Sequence, residues 1–305
     1  MASPASRPVA LVTGTNSGVG LALTVQLAAT HDVYAGMRKL TPSKRSALDE
    51  AAVGAGVSDN ITVMDLDVDS DESVAAAVQA MLEETGGRVD VLVNNAGYAC
   101  FGSVEMLSME TMQAQFNTNL FGPIRCQRAV LPAMRAQKRG KIVNISSVGG
   151  VWGQPFNDVY CGSKFALEGM SEAQGAVFRT FGVHVTCVQP GLITTAFGGN
   201  AKLPDFAKVP SEYQGPIQST MAAYRSGGED GGLSRGQTAE QVAEVIMEKV
   251  IHVEHPPAKV QTNPVIQSVF EMQLADVSGE AGVAAAAKRF LAPPPAAEAP
   301  GASGK

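Results

Sequence analysis

Three residues of this sequence could form an acid–base site: Ser147, Tyr160 and Lys164. A helix would place Tyr160 and Lys164, four positions apart, on one face. A phenol has a reference pKa of about 10, and lowering it by roughly three units requires about 4 kcal/mol of preferential stabilisation of the phenolate. A fixed ammonium group supplies part of this. The Ser147 hydroxyl could bond a substrate oxygen while Tyr160 transfers the proton. Taken alone, a Tyr-x-x-x-Lys pair is more often a buried tyrosine beside a lysine that extends to solvent.

The elements that must position these residues are short apolar strands alternating with helical patterns, without hairpin signals. This alternation predicts an α/β fold, a Rossmann-type doubly wound parallel sheet with helices on both faces. Tyr160 falls in a helix that ends near Phe181, and a long helical stretch over 109–137 divides near Gly122. A capping box at Thr238 and Gln241 opens a later helix. The six predicted strands are Val9–Thr13, Val33–Ala35, Ile61–Met64, Val89–Val93, Lys141–Ile145 and Val183–Val188.

The domain organisation follows from changes in composition along the chain. We expect residues 1–8 to form a tail, 9–197 the dinucleotide-binding and catalytic core, and 198–292 a C-terminal substrate lid and extension of the same domain. The stretch from 198 to 235 is rich in Gly, Pro and Ser and longer than a normal connection. Residues 293–305 have no core-forming side chains, so we expect a disordered tail.

The overall charge and the apolar pattern narrow the function classes. A net charge of −6 and a pI near 5.3 argue against a nucleic-acid binder. The sequence contains no apolar run long enough to cross a bilayer, and its first strand starts too early for a signal peptide. The four cysteines are widely spaced, which indicates reduced thiols rather than disulfides or a zinc site. We therefore expect a cytoplasmic protein.

A glycine-rich segment, TGTNSGVG, follows the first strand and opens a helix. Glycines in this context let the backbone approach a phosphate group, and the helix N-terminus faces the anion. Its spacing, G-x-x-x-G-x-G, differs from the commoner dinucleotide fingerprint, and a glycine-rich turn without a ligand is the alternative. The predicted cofactor-binding residues here are Gly14, Asn16, Ser17, Gly18 and Gly20.

The end of the second strand bears on the choice of cofactor. A carboxylate at this point would bond the ribose hydroxyl of NAD, whereas an arginine accommodates the 2′-phosphate of NADP. Arg38 and Lys39 follow the strand, and Asp32 lies at its other end. NADP(H) is therefore favoured over NAD(H), unless both are only surface charges. Asp67 follows the third strand and could bond the adenine amino group, although an exposed loop acid is an alternative.

Four motifs stand in a characteristic order: TGTNSGVG, then NNAG at 94–97, then the serine–tyrosine–lysine set, then PGLITT at 190–195. In this order and spacing they resemble the motifs of the short-chain dehydrogenase/reductase family, over residues 9–197. Within the family, SVGGVWGQPFNDVYCGSKFALEGM resembles the branch that contains estradiol 17β-hydroxysteroid dehydrogenase and the photoreceptor retinol dehydrogenases. The extended carboxyl-terminal portion is also similar to that branch.

The resemblance implies a role for each matching residue. Tyr160 would be the general acid/base, and Lys164 would bind the nicotinamide ribose hydroxyls and lower the pKa of Tyr160. Ser147 would orient the substrate oxygen. Asn119, three positions before a glycine, matches the asparagine that holds a proton-relay water, although Asn117 is close by. Asn95, Ala96 and Gly97 would lie on the adenosine side of the cofactor; the last motif would add Pro190, Gly191, Ile193 and Thr195, with Ile193 and Thr195 anchoring the carboxamide.

One departure from the branch concerns the substrate. The estrogen-specific enzyme uses a histidine in its substrate loop, and residues 198–235 contain none. We therefore expect a hydrophobic alcohol or carbonyl substrate, retinoid- or steroid-like, rather than specifically an estrogen. Six apolar or aromatic side chains could line its pocket: Phe197, Leu203, Phe206, Tyr213, Met221 and Tyr224.

The resemblance also implies a homodimer formed through the helices within 109–137 and 160–181, and peripheral contact with a membrane is compatible with a lipid-handling enzyme. Two alternatives stay open. One is a reductase of acyl thioesters or other polar carbonyls, against which the extra C-terminal residues count mildly. The other is a non-catalytic NADPH-sensing protein, which would need only the cofactor half of the site.

Overall fold

The computed structural model describes residues 7–193, 201–226, 236–276 and 278–291. The sheet in this part of the chain is parallel throughout. Its strands are β1 (Val9–Thr13), β2 (Asp32–Met37), β3 (Ile61–Asp65), β4 (Val91–Asn94), β5 (Gly140–Ile145), β6 (Val183–Gln189) and β7 (Lys259–Gln261), in the order β3-β2-β1-β4-β5-β6-β7. The six predicted strands are confirmed with small shifts at their ends. Strand β7 was not predicted, because three residues beside two prolines give too weak a pattern.

Helices connect the strands and continue beyond β6. They are α1 (Gly18–Leu27), α2 (Pro42–Ala55), α3 (Asp71–Glu84), α4 (Met109–Phe116), α5 (Gly122–Gln137), α6 (Asp158–Phe178), α7 (Gln214–Ser226), α8 (Ala239–Ile246), α9 (Pro264–Ala275) and α10 (Glu280–Ala286). π-Helical turns follow α4, α8 and α10, at Asn117–Phe121, Met247–Ile251 and Ala287–Leu291. The Thr238–Gln241 capping box at the start of α8 is formed in full.

The sheet is covered on both faces, as the continuous apolar strands predict. Along β1, Ala10 and Val12 pack with α1 and α8, whereas Val9 and Leu11 pack with α3 and α5 on the opposite face. Each fully buried valine or leucine contributes about 1.5–3 kcal/mol relative to an exposed one. The doubly wound fold therefore rests on two apolar layers that share one sheet.

The segment predicted to be an irregular lid is only partly so. Its described residues include helix α7, which was not predicted because glycine and proline at its start interrupt the helical pattern. The C-terminal helices then pack against the loop that follows β5. The Trp152 indole N–H donates to the carbonyl of Gly282 at 2.9 Å, and the Trp152 ring lies 5.9 Å from that of Phe290.

A polar interlock joins the loops that follow β1 and β4. The Thr13 hydroxyl oxygen accepts hydrogen bonds from the backbone N–H groups of Asn95 and Ala96, each at 3.0 Å. The Asn95 side-chain amide donates in return to the carbonyl oxygens of Thr13 at 2.9 Å and Gly14 at 3.0 Å. These four bonds fix the two loops next to each other at the carboxyl edge of the sheet.

Replacing Thr13 with valine tests this interlock. Valine has nearly the same shape but no acceptor, so two partly buried N–H groups lose their partner, and we expect the free energy of unfolding to fall by about 1–2 kcal/mol. Thr13→Ser is the matched control, because it keeps the hydroxyl and loses only a methyl group. Urea denaturation should show Thr13→Val to be the less stable variant; equal stability of the two would contradict the role of the hydroxyl.

Candidate active site

Ser147 and Tyr160 meet at the carboxyl edge of the sheet. Ser147 follows β5 and caps a short helical turn, where its hydroxyl oxygen accepts the N–H of Gly149 at 3.0 Å. Tyr160 lies in the first turn of α6, and a hydrogen bond joins its phenol to Ser147. Both side chains are buried. The arrangement can hold a carbonyl or hydroxyl oxygen between two hydroxyl groups.

Lys164 lies one turn further along α6, on the face predicted from the sequence. Its ammonium donates to the carbonyl oxygen of Ile145 at 2.8 Å and lies 5.9 Å from the centre of the Tyr160 ring. Burial lowers the pKa of Lys164 to about 8. Burial raises the pKa of Tyr160 to about 12, and the hydrogen bond with Ser147 opposes this rise. The spacing alone suggested a lowered phenol pKa, but desolvation has the larger effect in this structure.

Asn119 lies within the π-helical turn between α4 and α5. Its side-chain amide donates to the Tyr98 carbonyl at 3.0 Å and to the Ser163 hydroxyl at 3.2 Å. The neighbouring Asn117 accepts instead from Arg125 at 2.9 Å. Single π-turns inside helices are frequent at functional sites. The turn directs Asn119, but not Asn117, towards the helix that carries Tyr160.

The glycine-rich loop adopts the conformation that its glycines allow. Gly14 and Gly18 have φ angles of 70° and 57°, in the left-handed region that favours glycine. A Cβ atom on Gly20 would lie only 2.3 Å from the Asn95 side-chain amide, so this position requires close approach. Ser17 precedes α1 and makes no side-chain capping bond. The N–H groups of the first helical turn are thus available to an anion.

One cavity of about 1140 Å³ is lined both by the glycine-rich loop and by the Ser147, Tyr160 and Lys164 side chains. Gly20 and Asn119 do not line it. Gly20 lies against Asn95, and Asn119 donates a hydrogen bond to Tyr98, and both of these partners line the cavity. Thr195 lies outside the described residues. The predicted site residues that line the cavity are Gly14, Asn16, Ser17, Gly18, Arg38, Asp67, Asn95, Ala96, Gly97, Ser147, Tyr160, Lys164, Pro190, Gly191 and Ile193.

Comparison with known proteins places this site in a family. Residues 8–204 match the family model described as short chain dehydrogenase. The chain belongs to this family. It is 40% identical to human retinol dehydrogenase 8 over 280 residues, which cover 88% of this chain and 86% of the relative. It is 39% identical to rat estradiol 17-beta-dehydrogenase 1 over 247 residues, which cover 78% and 69% of the two chains.

A solved structure shows the same relation. A metagenomic short-chain oxidoreductase in complex with NADP superposes with a TM-score of 0.64 at 26% identity, covering 84% of this chain and 96% of that one. The chain is therefore an oxidoreductase of the short-chain dehydrogenase family that acts on CH–OH groups. In the described part of the chain, no helix is long and apolar enough to cross a membrane.

The cavity fits a dinucleotide at its glycine-rich end. The exposed guanidinium of Arg38 lies 3.4 Å from the Asp69 carboxylate and lines the cavity together with Lys44. Lys44, whose ammonium donates to the Arg38 carbonyl at 2.8 Å, was missed in the sequence because it lies in α2 rather than in the strand-end motif. Asp67 also lines this end, and its carboxylate accepts the N–H of Asp69 at 3.1 Å. Two cations and a helix N-terminus suit phosphate groups.

The opposite end of the cavity is enclosed by the segment after β4 and by the C-terminal region. Lys202 pairs with the segment after β4 through two backbone hydrogen bonds. Its N–H donates to the Ala99 carbonyl at 2.9 Å, and its carbonyl accepts the N–H of Phe101 at 2.8 Å. Of the six pocket residues expected from the sequence, Phe197 lies outside the described residues, and Phe206 and Tyr213 do not line the cavity. The three that line it are Leu203, Met221 and Tyr224.

Proposed function

We propose that the chain is an NADP(H)-dependent oxidoreductase that interconverts a hydrophobic alcohol, retinoid- or steroid-like, with its ketone or aldehyde. The observation that carries this proposal is the continuity of the cavity, which runs from the glycine-rich loop to the Ser147–Tyr160 pair. A dinucleotide bound along the first part would present its ring to a substrate held by the second. The names of the relatives, which refer to retinol and estradiol, support a hydrophobic substrate.

In the proposed mechanism the chain supplies positioning and a proton. The nicotinamide cofactor, when bound, supplies or accepts the hydride. Ser147 holds the substrate oxygen, and Tyr160 donates its phenolic proton to that oxygen in reduction or accepts it in oxidation. Lys164 binds the cofactor ribose hydroxyls, and its positive charge favours the phenolate that forms during reduction. Asn119 supports this end of the site through its bonds to Tyr98 and Ser163.

The preference for NADP(H) rests on Arg38 and Lys44. Both side chains line the adenosine end of the cavity, where a 2′-phosphate would carry about two negative charges that the corresponding hydroxyl of NAD(H) lacks. Arginine and lysine donors bind phosphate through charge-assisted hydrogen bonds. The net charge of the chain is −6, so attraction to the extra phosphate must come from this local pair.

Removing these two cations should change the cofactor preference. We expect Arg38→Ala combined with Lys44→Ala to weaken NADPH binding by about tenfold to a hundredfold, and NADH binding by less than about threefold. Titration calorimetry with both cofactors measures this. Lys39→Ala is the control, because Lys39 is exposed and does not line the cavity. A parallel loss of affinity for NADPH and NADH would contradict an NADP-specific role.

The substrate class is tested by a panel of carbonyl compounds. We expect NADPH-dependent reduction of all-trans-retinal or of a ketosteroid such as estrone at least about tenfold faster than that of acetoacetyl thioesters, because the substrate end is lined by side chains such as Leu203, Met221 and Tyr224. Absorbance at the NADPH band follows the reaction. Tight NADPH binding without turnover of any carbonyl would instead favour a sensor, and preference for thioesters would favour the polar-carbonyl reductase.

We also propose that the enzyme is a homodimer. Phe121, Phe165 and Val177 are roughly half exposed on the helices that the family resemblance implicates in dimerisation. Exposed large apolar side chains that share one region of a surface commonly mark an interface. The proposal therefore rests on the exposure of these three side chains, which a second copy of the chain could cover.

A further inference from the structure

We infer that the substrate carries an anionic group, such as a carboxylate, in addition to its hydrophobic body and reacting carbonyl, and that Arg289 binds this group. The inference deepens the proposed function, since it concerns the substrate end of the same cavity. Arg289 follows α10 in the C-terminal extension and lines the cavity next to Phe290.

The Arg289 side chain is only partly satisfied within the protein. Its Nε atom is buried and has no hydrogen-bond partner among the described residues. The guanidinium lies over the Phe290 ring, 5.3 Å from the ring centre, which orients the side chain but uses none of its N–H donors. No carboxylate among the described residues forms an ion pair with Arg289, so an anionic ligand in the cavity could balance the charge of its guanidinium.

The substrate half of the cavity carries a second cation in addition to Arg289. Lys202 also lines this half of the cavity, where its ammonium lies 4.8 Å from the centre of the Tyr98 ring. The acidic residues among the described lining residues, Asp67 and Asp69, lie at the adenosine end near Arg38. A cavity with low-dielectric walls concentrates such a field, so its substrate half attracts anions although the whole chain is acidic.

Arg289 is placed where a substrate that reacts at Tyr160 would reach it. The Tyr224 ring lies 5.1 Å from the Phe290 ring, and Asn157 donates to the Tyr224 hydroxyl at 2.8 Å. Tyr224 interacts electrostatically with both Tyr160 and Arg289. Because all these groups line one space, a molecule can contact Tyr160 with its carbonyl and Arg289 with its anionic end.

Binding of a carboxylate and its neutral ester tests the inference without requiring turnover. The chain has one tryptophan, Trp152, whose ring lies 5.9 Å from that of Phe290, so its fluorescence reports on this end of the cavity. We would titrate NADP⁺-saturated enzyme with dodecanoate, below its micelle concentration, and with methyl dodecanoate. We expect the affinity for the carboxylate to be at least about tenfold higher than that for the ester.

Variants assign that difference to Arg289. In Arg289→Gln the preference for the carboxylate should fall to near one, while Arg289→Lys should keep part of it. Lys288→Gln is the matched control: it removes the same charge from an exposed neighbour that does not line the cavity, and the preference should be unchanged. NADPH affinity should stay the same in all three variants.

Turnover gives a second measurement. Octadecanoic acids with a ketone at carbon 3, 6 or 12 would be compared with their methyl esters in NADPH oxidation. For the acid that reacts best, Arg289→Gln should raise KM by about tenfold and leave kcat/KM for its ester unchanged.

Equal binding of carboxylate and ester to the wild type, or an unchanged preference in Arg289→Gln, would overturn the inference. So would a loss of NADPH affinity in Arg289→Gln, because Arg289 would then serve the cofactor. If the wild type prefers dodecanoate but reduces no carbonyl compound, the proposed function fails while the anion site stands. If the wild type reduces the neutral esters and shows no preference for their acids, the proposed function stands while the anion site fails.

Discussion

The hydrogen bonds between Thr13 and Asn95 are the constraint on which the rest of the site depends. They join the loop after β1, which carries the glycines that we propose bind phosphate, to the loop after β4, which leads towards Tyr98 and Asn119. In a parallel sheet both loops emerge at one edge, but the sheet alone does not set their separation. The interlock sets it, and the Gly20 position then leaves no room for a side chain. The glycine-rich loop and the segment that leads to Tyr98 are thereby held next to each other.

Burial determines the protonation states of Tyr160 and Lys164. Tyr160 and Lys164 are both almost fully enclosed, which holds the phenol neutral and weakens the proton affinity of the amine. A neutral phenol is the form required to protonate a substrate oxygen in reduction. The same enclosure strengthens electrostatic contacts made beside Tyr160 and Lys164, whereas Arg38 and Lys44 lie at an exposed end of the cavity. In our proposals, Arg38 and Lys44 bind a phosphate group of the cofactor at that end, and Arg289 binds an anionic group of the substrate at the other.

Features encoded by contiguous residues were predictable from the sequence. The strands, the glycine-rich loop and the face shared by Tyr160 and Lys164 depend on local spacing, and the structure contains them. Lys44 and Arg289 were not predicted, because each reaches the cavity from a helix that no local motif connects to the site. The raised phenol pKa was also missed, since spacing gives the proximity of an ammonium group but not the degree of burial. The π-helical turn at Asn119 leaves only a trace in the sequence, the Gly122–Pro123 break that follows it.

Isotope transfer gives the most direct test of the central claim that this chain reduces a hydrophobic carbonyl compound with NADPH and the Tyr160 proton. All-trans-retinal would be incubated with NADPH that carries deuterium at both hydrogen positions of nicotinamide C4, and the product would be analysed by mass spectrometry. We predict one deuterium on the carbinol carbon and a loss of at least about a thousandfold in rate in Tyr160→Phe, with Tyr34→Phe as control. Undeuterated product, or full activity of Tyr160→Phe, would contradict the claim.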